Sequence, residues 1–564
     1  MQIVKADAPV TPTVVPFKDK TVRGKLWAIL PWVVFGLACV LVVVGMIVHY
    51  GDGLDDEMAS ELILAKMLSE GKGFILTNQW LYSTEIRFLN TQLIFAPLFW
   101  LFKSWAVVRI VGSIILNGIM LLAFYFLLAS LRRKAVFPWL ASLLILPTSF
   151  HNAHIINFGV YYIPHIAISF TMLTLTFYAL RPDASKKRFW CLVGGGALLS
   201  LLAAIGGFRQ VMVLSIPLFA AAVIYWLMNL ATEHKSTALK FLTVSGIGLG
   251  TALVGLFVNA VILQNYFSFK NFGMFDGWRD GYSFQYGVNI ALGSVMGVLG
   301  WLESDTWYGA TTFSNLVAVL ILFLFIVAVN DIIKHHKRYA AGVVQITLFT
   351  LCAVVIFIGI CVLTTLEIQK NHALPVTVFF LPIIAFYLTQ NWQWQVLHEK
   401  WQIYVKPALG VVAMVLILTS GLMVGCQFYF ANQFPWHNAK ENASLSIIST
   451  QLLAEGYTQG YCITKYGNSS GGEVLTEFSN GKIEVWCLST NMETLDAVTP
   501  WRQSTEHLNT QPTGKVFFLF TWEENERLVI PQKFTAADAP VFYADQYYVV
   551  YVFDDLDAAR AIVG

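Results

Sequence analysis

Apolar segments long enough to cross a membrane recur along most of this chain, and they limit its fold more than any other feature. A helix needs about 20 apolar residues to cross the hydrocarbon core of a bilayer. Eleven segments reach or approach that length: 26–50, 106–130, 135–150, 161–180, 189–207, 211–231, 241–263, 312–333, 341–366, 373–389 and 404–430. Only 12% of the 564 residues are charged, against about 25% in soluble domains. The chain is therefore predicted to be an α-helical polytopic membrane protein.

Basic residues in the short loops predict the orientation. Loops on the cytoplasmic side of a membrane are enriched in lysine and arginine. With eleven spans, the basic N-terminus and four basic loops all fall on one side: 132–134, 181–188, 233–240 and 334–338. This side is then the cytoplasm, and the protein is expected in the cell membrane with its C-terminal region outside the cytoplasm.

The predicted order along the chain has three parts. Residues 1–25 form a cytoplasmic segment, residues 26–430 form the membrane domain, and residues 431–564 form an external domain. The membrane domain has two large external loops, 51–105 and 264–311. Within the first, the apolar stretch 88–102 is too short to span, so it is predicted to be interfacial or re-entrant.

The C-terminal region differs in pattern from the rest of the chain. The runs GYCITKY, KIEVWCL, GKVFFLFTW and QYYVVYVF are typical of strands, and AKENASLSIISTQLLAEGY is compatible with a helix. Strands that alternate with helices predict a small α/β domain. Cys462 and Cys487 lie in this domain. Outside the cytoplasm they can form a disulfide, and two buried free thiols are equally compatible with the sequence.

The acidic stretch DGLDDEMASELILAKMLSEGKGF, residues 52–74, follows directly on the first apolar segment. Five of its acids lie within ten residues: Asp52, Asp55, Asp56, Glu57 and Glu61. One interpretation is structural. Asp55 or Asp56 caps a helix that begins near Glu57 and ends at the glycines 71 and 73, with its leucines on the membrane surface. This interpretation accounts for one or two of the acids.

The other interpretation of this stretch is chemical. Glu57 and Glu61 are four residues apart, so they lie on the same face of a helix. Crowded carboxylates at a boundary of low dielectric constant repel one another, and some are expected to have raised pKa values. Such a group can act as a general base. Alternatively, two of these carboxylates can bind a divalent cation.

Basic side chains predicted on the same outer side are candidates for binding a phosphate. They are Arg87, Arg209, Lys370 and His372. Cations near the ends of membrane spans also contact lipid headgroups without any catalytic role. The net charge of +2 gives no indication of nucleic-acid binding, and the cysteines show no metal-site spacing.

Several stretches resemble the GT-C class of membrane glycosyltransferases. These are the acidic loop that leads into AKMLSEGKGF (65–74), YSTEIRFLNTQLIFAPLFW (82–100), and residues 456–485 of the tail. KNHALPVTVFFLPII (370–384) stands where related proteins have an arginine-containing R-Y-L-x-P pattern. The resemblance implies a donor sugar on a polyprenyl phosphate. It also implies transfer outside the cytoplasm to a glycan, lipid or protein, with inversion at the anomeric carbon.

The resemblance also assigns roles to residues of this chain. Asp55 is the nearest analogue of the catalytic carboxylate, and Glu57 is almost as good a candidate. The residue types themselves indicate the other roles. Glu61 would contribute to acceptor or metal binding, and the donor phosphate would be bound by Arg87, Arg209, Lys370 and His372. The leading hypothesis is therefore a hexosyl- or pentosyltransferase of the cell envelope. The alternatives are a transporter or flippase of lipid-linked saccharides, and a receptor that uses its external domain.

Overall fold

The computed structural model describes most of the chain. The described residues are 22–147, 153–269, 277–280, 283–301, 310–366, 368, 370–389, 406–430, 439–465, 468–469, 471–489, 495 and 498–564. Within these ranges, eight helices are long and apolar enough to cross a membrane, and four shorter apolar helices accompany them.

All but one of the following helices of the membrane domain match the predicted apolar segments. They are Val22–Val48, Trp105–Ser130, Phe137–Ile145, Ile163–Ala179, Lys186–Ile205, Phe208–Met228, Lys235–Phe257, Phe284–Leu299, Ala310–Lys334, Ala341–Leu363, Asn371–Thr389 and Lys406–Phe430. Two of them begin at serine N-caps. Ser104 accepts a hydrogen bond from the backbone N–H of Val107, and Ser185 accepts one from that of Arg188. Such caps satisfy backbone donors that the first helical turn leaves unpaired.

One helix was not predicted. Residues Phe284–Leu299 lie inside the stretch 264–311 that was interpreted as an external loop, yet they form a 16-residue apolar helix packed against Ala341–Leu363. A Cβ atom added at Gly287 would lie 2.5 Å from the carbonyl oxygen of Cys361. Glycine at this position permits the close helix approach common in membrane proteins. The same small residues reduce the apolar signal of the segment, which explains why it was missed.

The acidic stretch forms the helix Asp56–Ser69, called here the loop helix. Asp55 is its N-cap and accepts a 2.7 Å hydrogen bond from the backbone N–H of Met58. Beyond its last residue, Gly71 adopts the left-handed conformation with φ +83°, as is common after helix ends. The predicted bounds and cap are therefore confirmed. The predicted position of the leucines was wrong, because Leu62 and Ala65 are fully buried in the protein core instead of lying on the membrane surface.

The stretch 88–102 contains only a short helix, Gln92–Phe99. Its eight residues are too few to span a bilayer. Trp100 and Leu101 follow this helix with 71% and 73% of their surface exposed. This arrangement is compatible with the predicted interfacial segment.

The C-terminal region is an α/β domain, as predicted. Its strands are β1 (Gln459–Lys465), β2 (Asn468–Ser469), β3 (Glu484–Ser489), β4 (Val516–Thr521), β5 (Val541–Ala544) and β6 (Tyr548–Phe553). β1 lies between β3 and β4 and is parallel to both, while β6 is antiparallel to β4 and β5. The short β2 pairs with the end of β1. The helices of the domain are Ala439–Ala454, Gly472–Phe478, Trp522–Arg527, Val529–Ala536 and Leu556–Val563.

Cys462 and Cys487 are neighbours in this sheet. They are paired in register on the parallel strands β1 and β3, and their Sγ atoms are 3.3 Å apart. Both side chains are buried, and both are present as thiols that are not joined in a disulfide. The interpretation as two buried thiols describes this structure.

The α/β domain docks onto the loop 51–105 and onto the membrane helix that follows it, and two of these contacts are as follows. At the first, Glu477 of the helix Gly472–Phe478 binds Arg109 of the membrane helix Trp105–Ser130. At the second, residues 502–505 run antiparallel to residues 79–82. The backbone N–H of Arg502 donates to the carbonyl of Leu81 over 2.7 Å, and that of Leu81 donates to the carbonyl of Gln503 over 2.8 Å. The domain therefore contacts the same loop that contains the acidic stretch.

Candidate active site

Arg87 lies between the two glutamates of the loop helix. Its Nη1 donates a short hydrogen bond to Glu61, and its Nη2 lies 3.0 Å from Oε1 of Glu57. Thr91 donates a 2.7 Å hydrogen bond to the second carboxylate oxygen of Glu61. The predicted common face of Glu57 and Glu61 is present, and its partner comes from the same external loop.

Burial shifts the pKa values of this group. The pKa of the Glu61 carboxyl is raised mainly because the side chain is buried, and Arg87 and Thr91 only partly offset this effect. The pKa of Arg87 is also raised, because the attraction of Glu61, Glu57 and Glu85 exceeds the opposing effect of burial. The expectation that a carboxylate of the acidic stretch has a raised pKa therefore holds for Glu61.

A second arginine reaches Glu57 from the C-terminal domain. Nη2 of Arg502 lies 3.1 Å from Oε1 of Glu57, the same oxygen that Arg87 contacts. The Arg502 side chain is 14% exposed. The loop helix is thus held between cations from its own loop and from the α/β domain.

Glu85 forms a second charged group beside Arg87. Its Oε1 lies 2.9 Å from Nε of Arg209, and its Oε2 lies 3.8 Å from Nε2 of His165. Burial by itself would raise the pKa of Glu85, but the nearby Arg209 and His165 hold it below its ordinary value. Glu85 therefore stays ionised and fixes the position of Arg209.

The backbone beside Arg209 allows this close approach. Gly207 has φ +146°, and a Cβ atom added there would lie 3.2 Å from Cγ of Glu85. The carbonyl of Gly206 accepts a 3.2 Å hydrogen bond from the backbone N–H of Ile86. Two glycines before the membrane helix Phe208–Met228 thus let the external loop contact the start of that helix.

Aromatic and histidine rings complete this part of the site. The Arg209 guanidinium lies 4.8 Å from the ring centre of Tyr162. The ring of Tyr162 is 6.0 Å from that of His372 and 6.2 Å from that of His165. Nδ1 of His165 is 3.0 Å from the side-chain oxygen of Gln210. His372, a predicted phosphate ligand, therefore lies at the same cluster as Arg209.

A small cavity lies against these residues. Its lining comes from the loop segment 85–90 and from residues of three membrane helices: Glu85, Arg87, Phe88, Leu89, Asn90, His165, Ile168, Ala203, Gly206, Gly207 and Gln210. Both Glu85 and Arg87 line the cavity, so the two charged groups belong to one site.

The predicted residues are distributed as follows. The structure brings Glu57, Glu61 and Arg87 together, and places Arg209 and His372 beside them. Asp55 caps the loop helix, and with Glu57 and Glu61 it acts electrostatically on Tyr161. The side chain of Lys370 lies outside the described residues.

The sequence interpretation missed Glu85, His165 and Arg502. Glu85 had a local signal, since it lies two residues before Arg87 in the same polar stretch. His165 also had a signal, because an ionisable residue in an apolar segment indicates a functional site. Arg502 is 415 positions from Arg87 in a polar tail, and nothing local distinguishes it.

The alternative in which two carboxylates bind a divalent cation has no evident ligand set among the described residues. Within the described ranges, no three His, Cys, Asp or Glu side chains converge as a metal site. Between Glu57 and Glu61, where a cation would bind, the Arg87 guanidinium contacts both carboxylates.

Solved structures resemble the whole chain. ArnT from Cupriavidus metallidurans bound to undecaprenyl phosphate has a TM-score of 0.58 at 13% identity, over 94% of this chain and 98% of that chain. ArnT from the same organism in the apo state has a TM-score of 0.57 at 12% identity, with the same coverage. No protein-family model and no curated protein sequence matches the chain. The chain therefore has the fold of ArnT, a GT-C glycosyltransferase, as its sequence resemblance predicted.

Proposed function

We propose that this protein is a membrane glycosyltransferase that moves a sugar from a polyprenyl phosphate to an acceptor outside the cytoplasm, with inversion. The observation that carries the proposal is the joined cluster of Glu57, Glu61, Arg87, Glu85 and Arg209 in the first external loop and at the adjoining helix start. It supplies carboxylates for a hydroxyl proton and guanidinium groups for a phosphate, within a fold shared with ArnT.

A carboxylate of the loop helix would act as the general base. It would take the proton of the acceptor hydroxyl while the oxygen attacks the anomeric carbon opposite the phosphate. Asp55 is the first candidate and Glu57 the second, following the resemblance to GT-C enzymes. Glu61 would contribute to binding the acceptor, through the carboxylate that Arg87 and Thr91 contact.

Arginine side chains would stabilise the departing phosphate. Glu85 forms a 2.9 Å ion pair with Arg209 and also attracts the nearby Arg87 electrostatically. Guanidinium groups bind phosphate oxygens in a two-pronged geometry and keep their charge at any physiological pH. Lys370 and His372 are additional candidates for the same phosphate.

A polyprenyl tail would find an apolar cavity nearby. The helix Asn371–Thr389 has His372 at the polar site, and its residues Leu374, Thr377, Val378 and Leu381 line a cavity between helices. The remaining walls are apolar too, and include Phe124, Leu140, Val298 and Ile321. A lipid phosphate at the cluster would then have apolar side chains along this helix for the first part of its chain.

The proposal is tested with purified protein and a panel of polyprenyl-phosphate sugars. We expect release of polyprenyl phosphate with one of them, and a rate about 100-fold lower in Arg87→Gln, since each oriented charge donor contributes on that order. Glu523→Gln serves as the control, because Glu523 is exposed and pairs with Arg527 on its own helix. Movement of an intact lipid-linked sugar across vesicles, without its cleavage, would favour the transporter alternative instead.

A further inference from the structure

Arg502 places a guanidinium of the α/β domain inside the membrane domain's charged cluster. Its Nη2 shares Oε1 of Glu57 with Nη2 of Arg87, at 3.1 Å and 3.0 Å respectively. The attraction to one carboxylate keeps two like-charged guanidinium groups close together. A second group of negative charge at this position would be attracted by both.

Two donors of Arg502 are left unsatisfied. Its Nε and Nη1 atoms are buried and have no hydrogen-bond partner in the part of the chain that the structure describes. The indole N–H of the neighbouring Trp501 is in the same condition. Buried donors are nearly always paired in folded proteins, and a charged one is especially unfavourable to leave unpaired. These donors therefore indicate a ligand with acceptor oxygens.

The backbone holds Arg502 in this position against its own preference. Arg502 has φ +51° and Arg87 has φ +58°, both in the left-handed region that residues with a Cβ atom seldom adopt. The strand-like pairing fixes the backbone of Arg502, since Arg502 and Gln503 both bond to Leu81 and Thr505 bonds to Gln79. Strained backbone of this kind concentrates at functional sites, where the surrounding structure enforces it.

We propose that Arg502 is a phosphate-binding residue, so that the α/β domain and the membrane domain together form one composite site. Its Nε–H and Nη1–H would donate to phosphate oxygens while Nη2 remains on Glu57, and Arg87 would bind the same anion. Arginine suits this role because its rigid fork matches the spacing of phosphate oxygens. Naming the polyprenyl-phosphate donor as the source of that phosphate rests on the proposed function. A water-soluble phosphate ester has the same chemistry.

The test measures phosphate binding by the full-length protein in lipid nanodiscs. A short-chain polyprenyl phosphate and methyl phosphate are titrated separately, and the melting temperature of each variant is recorded. Arg502→Gln is expected to weaken binding of the polyprenyl phosphate about 10-fold or more, the usual effect of losing charge-assisted hydrogen bonds. Arg502→Lys should restore binding only in part. Arg527→Gln, an exposed arginine of the same domain, should bind like the unaltered protein.

A purely structural role predicts a different pattern. If Arg502 only neutralises Glu57, the double variant Glu57→Gln/Arg502→Gln should regain the binding that Arg502→Gln loses, and that result would overturn the proposal. Unchanged binding in Arg502→Gln, or no binding of either phosphate by the unaltered protein, would also overturn it. Arg502-dependent binding of methyl phosphate alone would uphold the phosphate site and contradict the polyprenyl-phosphate donor.

Discussion

The buried pair between Arg109 and Glu477 should control how firmly the α/β domain docks. The Arg109 side chain is 2% exposed and that of Glu477 is 0% exposed. Nε and Nη2 of Arg109 donate to the two carboxylate oxygens over 2.6 and 2.7 Å. Tyr50 donates a further hydrogen bond of 2.7 Å to Glu477, and Arg109 also donates to the carbonyl of Met58 in the loop helix.

The expected effect of Glu477→Gln follows from these contacts. Removing one partner of a buried ion pair costs about 3–5 kcal/mol, because the other charge stays buried without compensation. Glutamine keeps one acceptor oxygen, so we expect a value near the lower end, about 3 kcal/mol. A change of that size corresponds to roughly a 100-fold increase in the population of undocked domain.

Hydrogen exchange measures this local opening directly. Amides of the helix Gly472–Phe478 and of the first turns of Trp105–Ser130 should exchange about 100-fold faster in Glu477→Gln, provided that closing is faster than exchange. The double variant Arg109→Met/Glu477→Leu should recover most of the protection, since well-packed apolar side chains can replace a buried pair. The exposed Glu523→Gln is the control. Exchange within threefold of the unaltered protein, or a double variant no better than the single one, would refute the reasoning.

Four further predictions concern single positions. Asp55→Asn should keep the melting temperature, since Asn caps helices as well as Asp does, and a loss of turnover of about 100-fold would then identify Asp55 as the base. The pKa of Glu85 is lowered in the folded protein, so its ionised carboxylate stabilises the fold at pH values above the pKa of an unfolded glutamate, about 4.3. This stabilisation is lost as the pH falls through the lower pKa of the folded protein. In Glu85→Gln the melting temperature should therefore decrease less over that pH range than in the unaltered protein. Gly207→Ala should lower both activity and melting temperature, because φ is +146° and the added Cβ meets Glu85. A cysteine at Asn468 should be labelled from outside the cell, and labelling only after the membrane is opened would show that the span count is wrong by an odd number.

Local signals were enough to predict the elements around the site. Asp55 before an apolar run and Gly71 after it define the loop helix, because caps act within one turn of a helix end. The strands β1, β3, β4 and β6 were recognisable for a similar reason, since each is a short apolar run bounded by polar residues. The helix Phe284–Leu299 was not predicted. It packs against Ala341–Leu363 through glycine, and glycines lower the hydropathy of a segment, so a search for long apolar segments passes over it.

Contacts between distant segments could not be predicted in this way. Glu85 and Arg209 meet only because the glycines before Phe208 let the external loop approach the helix start. Such a contact depends on tertiary packing, and no pattern within either segment encodes it. The same holds for Glu477 and Arg109, which lie in the α/β domain and in a membrane helix.

The acidic stretch shows where a sequence interpretation must stop. Asp52 binds the neighbouring His49 over 2.7 Å and Asp55 caps its own helix, so both have local partners. Glu57 and Glu61 have none nearby in sequence, and their charges are balanced by Arg87 and, for Glu57, by Arg502 as well. Carboxylates buried with arginines are stable only while those arginines are in place. Activity of the acidic stretch should therefore depend on the docked α/β domain, even though the acids themselves belong to the membrane domain.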